Sequence, residues 1–130
     1  MDPNQIRLEA AKEYYSRIKK EMADSCTEAF IFGSVARNKA KKSSDLDLLL
    51  VLERPTREER YFWNTPQEMT KRNNYSYNFA KNSHQIFIIQ RELERKYNFP
   101  ISVHFRYKDS DDIVPLPIKT KDLASSLIKL

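Results

Sequence analysis

Two aspartates one residue apart, in Ser44-Asp45-Leu46-Asp47-Leu48, follow shortly after Phe30-Ile31-Phe32-Gly33-Ser34-Val35-Ala36-Arg37. On an extended strand, residues i and i+2 project from one face, roughly 7 Å apart along the chain. Carboxylates so placed suit Mg²⁺, which takes a few carboxylate oxygens and completes its shell with substrate phosphates. The phosphate-holding half lies upstream. Gly33 is the sole glycine of the 130 residues, whereas average usage gives about nine in a chain of this length. A chain this sparing has placed its glycine where no side chain fits. Without a Cβ, Gly33 lets the backbone approach an anionic group and take positive φ. Ser34 opens a brief helix, reaching about residue 39, whose free N–H groups attract phosphate oxygens. Its hydroxyl is a further donor, and Arg37, one turn on, either braces the turn or contacts the phosphates. Together these residues describe a site for a metal-bound triphosphate.

The elements that must position this site are legible from periodicity. Residues 3–23 read as an amphipathic helix with Ile6, Ala10, Tyr14, Ile18 and Met22 inward and Arg7, Lys12, Arg17, Lys19 and Lys20 toward water. Pro3 belongs in its first turn. Glu28 to Phe32 is a short strand. Asp45 to Leu52 is the clearest strand: Leu46, Leu48, Leu50 and Leu52 share one face, and Asp45, Asp47, Leu49 and Val51 the other. Apolar on both sides beyond the aspartates, it is expected at the centre of a sheet. Pro55 and the charged run 56–60 leave that sheet, and Thr65-Pro66-Gln67-Glu68 is a capping box. Asn73 to Asn78 interrupts the helical pattern. Phe79, Ile86, Ile89, Leu93 and Tyr97 mark a second long helix, ending before Asn98-Phe99-Pro100. Ile101, Val103, Phe105 and Tyr107 then alternate with Ser102, His104 and Arg106 as a third strand, and Asp109 to Asp112 is a loop. Lys119 to Leu130 reads as a short terminal helix. The fold class is α/β (α+β), a small mixed sheet flanked by helices.

Length and composition point to one domain over residues 1–130. A chain that is 40% hydrophobic with six prolines is expected to fold rather than stay disordered. No run approaches a membrane span, and Met1-Asp2-Pro3-Asn4-Gln5 lacks the order of a signal peptide. Cys26 has no second cysteine to pair with, which suits the cytoplasm. The net charge of +5 favours polyanionic partners, nucleotides first and RNA second.

The pattern Gly33-Ser34, Ala36-Arg37, a short spacer, then Ser44-Asp45-Leu46-Asp47-Leu48 resembles the DNA polymerase β type nucleotidyltransferase superfamily, and within it the small minimal nucleotidyltransferases. The close match covers Phe30 to Glu53. The resemblance implies a nucleotidyltransferase-like fold and transfer of a nucleoside monophosphate from an NTP, ATP by preference, to an acceptor hydroxyl, with two divalent metals. Gly33 and Ser34 would hold the triphosphate, and Asp45 and Asp47 would ligate Mg²⁺. Where the family often has Gly after the Arg, this chain has Asn38, which tolerates φ > 0. Small members of the family are often encoded beside a helical partner of the HEPN class and act as its antitoxin. That gives the alternative of a catalytically silent regulatory subunit.

The family also carries a third carboxylate on a later strand. Here that strand offers only Ser102, His104 and Arg106, so the acceptor-side metal would lack an anionic ligand. His104 is the candidate general base. With the aspartates as neighbours and no metal its pKa should rise, and bound Mg²⁺ should lower it. Asp109, Asp111 and Asp112 follow this strand and are the further carboxylates that could swing in, although turns and helix caps are their commoner use. Glu53 sits too far along its strand. Lys39, Lys41 and Lys42 form a basic edge that reads as a solvated loop. Tyr61, Phe62, Trp63, Tyr75, Tyr77 and Phe79 read as core cover or a homo-oligomer interface before base stacking. His84 lacks a second ligand, and Cys26 reads as structural.

Overall fold

A computed structural model describes residues 2–22, 26–53, 85–113 and 118–130. The capping box at 65–68, the interruption at 73–78, the aromatic segment 61–79, the run 54–60 and His84 lie outside the described residues. Helix α1 (Pro3–Glu21) begins where Asp2 accepts hydrogen bonds from the Asn4 and Gln5 amides, with Pro3 in the first turn. Strand β1 (Cys26–Phe32), the single-turn helix α2 (Gly33–Ala36) and strand β2 (Leu46–Leu52) follow. Helix α3 (Gln85–Tyr97) leads into strand β3 (Ile101–Tyr107). Asn98 takes φ 60°, and its amide donates to the Glu94 carbonyl, a left-handed helix stop.

The main sheet runs β3-β2-β1-β6, where β6 is Ile128–Lys129. β2 pairs antiparallel with β1 and parallel with β3. Every residue of β2 but Asp47 is buried: the strand is central, as its two apolar sides require. α1 and α3 cover the face carrying Leu46, Leu48, Leu50, Leu52, Ile31, Ile101 and Phe105. The Tyr14 hydroxyl, wholly buried there, donates to the Ile86 carbonyl at 2.9 Å and ties the helices together. On the opposite face Phe32, Leu49 and Ile113 form a second cluster, flanked by Phe30, Ile118, Leu123 and Leu127. The hairpin of β4 (Asp112–Ile113) and β5 (Ile118–Lys119) and the 3₁₀ helix Thr120–Ser126 supply that cover.

Two expectations are corrected here. Lys119 to Leu130 is not a helix. A 3₁₀ turn ends at Ser126, and β6 then docks on the outer edge of β1, Ile128 opposite Ile31, with the Leu130 amide donating to the Ala29 carbonyl. Unpaired backbone groups along β1 outbid local helical preference. Arg7 does not face water either: it is only 3% exposed, wedged beneath the loop that precedes β2. Among the described residues no helix is long and apolar enough to cross a membrane.

Candidate functional site

The site forms where β1 ends and β2 begins. Phe32 and Asp47 are register partners, so the residue after Phe32 lies beside the Asp47 side chain. That residue is Gly33, with φ +73°. A Cβ built there would stand 3.2 Å from Asp47 Cγ and overlap Oδ2 outright. The sole glycine therefore meets two demands, a left-handed backbone and room for a carboxylate laid against the turn. Ser34 follows in the same turn, half-buried, and its carbonyl accepts from the Lys39 amide at 2.8 Å. Asn38 takes φ 57°, the conformation for which a glycine would otherwise be used.

Asp45 is exposed and Asp47 half-buried. Burial, and secondarily the negative charge of Asp45, raise the Asp47 pKa, while Arg37 pulls it down. An ionised, half-buried carboxylate beside another is unfavourable until a cation sits between them. The pair thus fits a divalent ion. Among the described residues no group of three or more His, Cys, Asp or Glu side chains is placed to hold a metal. The remaining coordination positions would fall to water and substrate oxygens, as Mg²⁺ commonly has it.

Opposite the pair runs β3. The register sets Ser102 directly across from Asp47 and His104 across from Leu49, one pleat deeper on the same face. The start of β3 is pinned on both sides: the Ile101 amide donates to Glu94 Oε2, and the Pro100 carbonyl accepts from the Leu46 amide, each at 2.9 Å. His104 packs edge-on against Phe32, ring centroids 5.2 Å apart. Burial lowers its pKa, and donation to the Leu48 carbonyl offsets part of that. Nδ1 is buried with no hydrogen-bond partner among the described residues. The expected rise in pKa is therefore reversed. At this depth desolvation acts on the imidazole, and the aspartates do not figure among the influences on it.

Other candidates fall away from the site. Asp111 and Asp112 lie past the far end of β3, the end that pairs with Leu52. Five residues of strand separate that end from Ser102, about 17 Å at the usual rise. Asp111 there receives the Lys121 amide, and its carbonyl accepts from Thr120. Glu53, at the same far end, pairs with Lys108 at 3.4 Å. Lys39, Lys41 and Lys42 are exposed. Cys26 is buried, and its thiol is pushed up to about 12 by burial, an inert group. Arg7 is the residue that sequence reasoning missed. Residues 4, 7, 11, 14 and 18 are all buried on one stripe of α1, and that spacing was a usable signal. A charged residue type argued the other way.

Set against known proteins, the family model described as a nucleotidyltransferase domain matches residues 15–127. No curated protein and no solved structure matches the chain.

Proposed function

This chain belongs to the nucleotidyltransferase domain family, and we propose that it is a minimal nucleotidyltransferase that binds Mg²⁺–NTP, ATP by preference, and transfers the nucleoside monophosphate to an acceptor hydroxyl. The observation that carries this reading is the contact between Gly33 and Asp47. It makes the phosphate turn and the metal carboxylate one rigid unit, so a triphosphate held by the turn meets a metal-ligating oxygen without rearrangement. Asp45 and Asp47 would hold the ion, which when bound neutralises phosphate charge as a Lewis acid. The amides after Gly33 and the Ser34 hydroxyl orient the phosphates. Arg37, close enough to Asp47 to lower its pKa, supplies positive charge at the rim. His104, whose pKa burial lowers, is the candidate proton acceptor.

Isothermal titration tests the assignment. ATP should bind the parent protein in a Mg²⁺-dependent way, and Asp45→Asn with Asp47→Asn should remove that dependence. Equal binding by the double variant overturns the reading.

A second reading, a catalytically silent member serving as the regulatory subunit of a helical partner, is favoured by one observation. The position across from Asp47 holds Ser102, which brings no charge for an acceptor-side metal. Transfer of labelled AMP from ATP to a candidate acceptor separates the two. Mg²⁺–ATP binding without transfer selects the second, and a neighbouring gene for a HEPN-class protein would name its partner.

A further inference from the structure

The loop 38–44 joins the phosphate turn to the aspartates, and the first turns of α1 grip it at both ends. Asn4, 9% exposed, accepts the Ala40 amide on Oδ1 at 3.3 Å. Arg7 Nε and Nη2 donate to the Ser44 carbonyl at 2.9 and 2.8 Å, and Nη2 also to the Lys42 carbonyl at 3.1 Å. Nη1 donates to the Pro3 carbonyl at 2.9 Å, and the guanidinium plane stacks over Phe99, 4.2 Å from the ring centroid. Ser44 closes the loop by accepting the Lys41 amide on Oγ. All three guanidinium nitrogens are thus engaged, four of the five N–H groups donate, and the group is nearly dry, one residue short of Asp45, whose charge it feels.

A buried arginine is costly to keep, and among the described residues no carboxylate forms an ion pair with it. Besides the Pro3 carbonyl of its own helix, its partners are the Lys42 and Ser44 carbonyls, which lie outside any strand or helix on the segment that delivers Asp45. Five donors in a fixed fork can fill several carbonyls at set angles, which a lysine ammonium cannot. Arg106, another arginine with a buried guanidinium nitrogen, bonds the Tyr107 and Ser110 carbonyls at the far end of the sheet instead.

We propose that Arg7, with Asn4, is a positioning clamp that sets the distance between the phosphate turn and Asp45, and so governs how tightly a divalent cation joins a bound nucleoside triphosphate. The functional half rests on the reading of the site given above; the mechanical half does not. Freed from Arg7, the loop lets Asp45, which lies just ahead of the first paired residue of β2, drift from Asp47. The Gly33 turn, held by its own hydrogen bonds and by Asp47, stays as it is. Arg7 touches no substrate in this scheme and acts through the backbone.

Two measurements on Arg7→Lys, Arg7→Gln and Asn4→Ala test it, alongside the parent. Hydrogen exchange on the ligand-free proteins should speed at least tenfold across residues 40–46 and stay within about twofold in α3 and β1. Exchange that is unchanged, or faster everywhere in parallel, overturns the clamp and leaves Arg7 an ordinary stabilising residue. In titrations, the gain in ATP affinity on adding Mg²⁺ should shrink about tenfold in Arg7→Gln and less in Arg7→Lys, while Mg²⁺-free ATP binding stays within about twofold. A loosened loop with an intact Mg²⁺ gain overturns the functional half. If the parent itself shows no Mg²⁺-dependent ATP binding, the site reading fails with that half, and exchange alone decides the clamp.

Discussion

Gly33→Ala separates what the glycine does for stability from what it does for the site. At φ +73°, an L residue in the left-handed region costs roughly 1–2 kcal/mol. Loss of unfolded-chain freedom on replacing glycine returns about 0.4–1 kcal/mol. The new methyl also occupies the space of Asp47 Oδ2. Asp47 Cβ lies at 3.5 Å, an ordinary contact, so the strand need not move; the carboxylate must swing instead. Forcing a side chain about 30° from its rotamer adds roughly 0.5–1.5 kcal/mol. The total is about 1–2.5 kcal/mol, or about 4–9 °C in Tm for a chain this long. The fold survives. The binding loss is larger in kind, because a swung Asp47 no longer faces the triphosphate: Mg²⁺–ATP affinity should fall tenfold or more, about 1.4 kcal/mol. Urea denaturation of Gly33→Ala, Asp47→Ala and the double variant supplies the check. With Asp47 truncated only the φ cost remains, so the cycle should show a coupling of about 0.5–1.5 kcal/mol. Additivity to within about 0.3–0.5 kcal/mol, or undiminished Mg²⁺–ATP binding by Gly33→Ala, would refute the reasoning.

Three further outcomes are expected. Asp47 has a folded pKa above its ordinary 3.8, so the native state binds the proton more tightly than the unfolded chain does. Its contribution worsens as pH rises through that window and stays unfavourable above it. Asp47→Asn should therefore stabilise the fold at pH 7 by the ~0.5–2 kcal/mol typical of single stabilising changes, with a higher Tm, while ending Mg²⁺ dependence; a lower Tm by calorimetry would contradict this. His104 has a folded pKa below 6.5, so its contribution is intact above 6.5 and is lost as pH falls from 6.5 through the folded value. Ring resonances should titrate with a midpoint under 6.5, and any transfer activity should rise across the same range. Ser102→Asp places a carboxylate across from Asp47 and should tighten Mg²⁺ binding about tenfold. His104→Asp, across from Leu49 and against Phe32, should lower Tm and leave Mg²⁺ affinity where it was; the reverse pattern in titrations would reject the assignment of these two positions.

Local chemistry was legible in the sequence wherever one residue type or a short period decides it. The Leu46–Leu52 alternation forces a central strand, because both its faces need cover. A lone glycine must sit where φ is positive or space is short, and Gly33 meets both conditions. Asn38 could be read as a glycine substitute from its side chain alone, and its φ agrees. The Ile101–Tyr107 alternation put Ser102, His104 and Arg106 on one face, since side chains alternate whatever the neighbours are.

Relations between distant segments depended on tertiary structure. Period-2 reasoning gives a face but not a register, so it could not choose between Ser102 and His104 as the residue across from Asp47; hydrogen-bonded pairing of β2 and β3 made that choice. The pKa direction of His104 followed from Phe32 lying against it and from burial, neither of which a strand pattern contains. Lys119 to Leu130 has helical spacing, yet the open edge of β1 drew Ile128 into the sheet. Arg7 lay on the buried stripe of α1 and was assigned to solvent by its charge. Only the fold could show that carbonyls from residues 42 and 44, more than thirty positions away, arrive there to receive it. Residue type and period are properties of neighbours along the chain, whereas register, burial and hydrogen-bond partnership arise when segments meet.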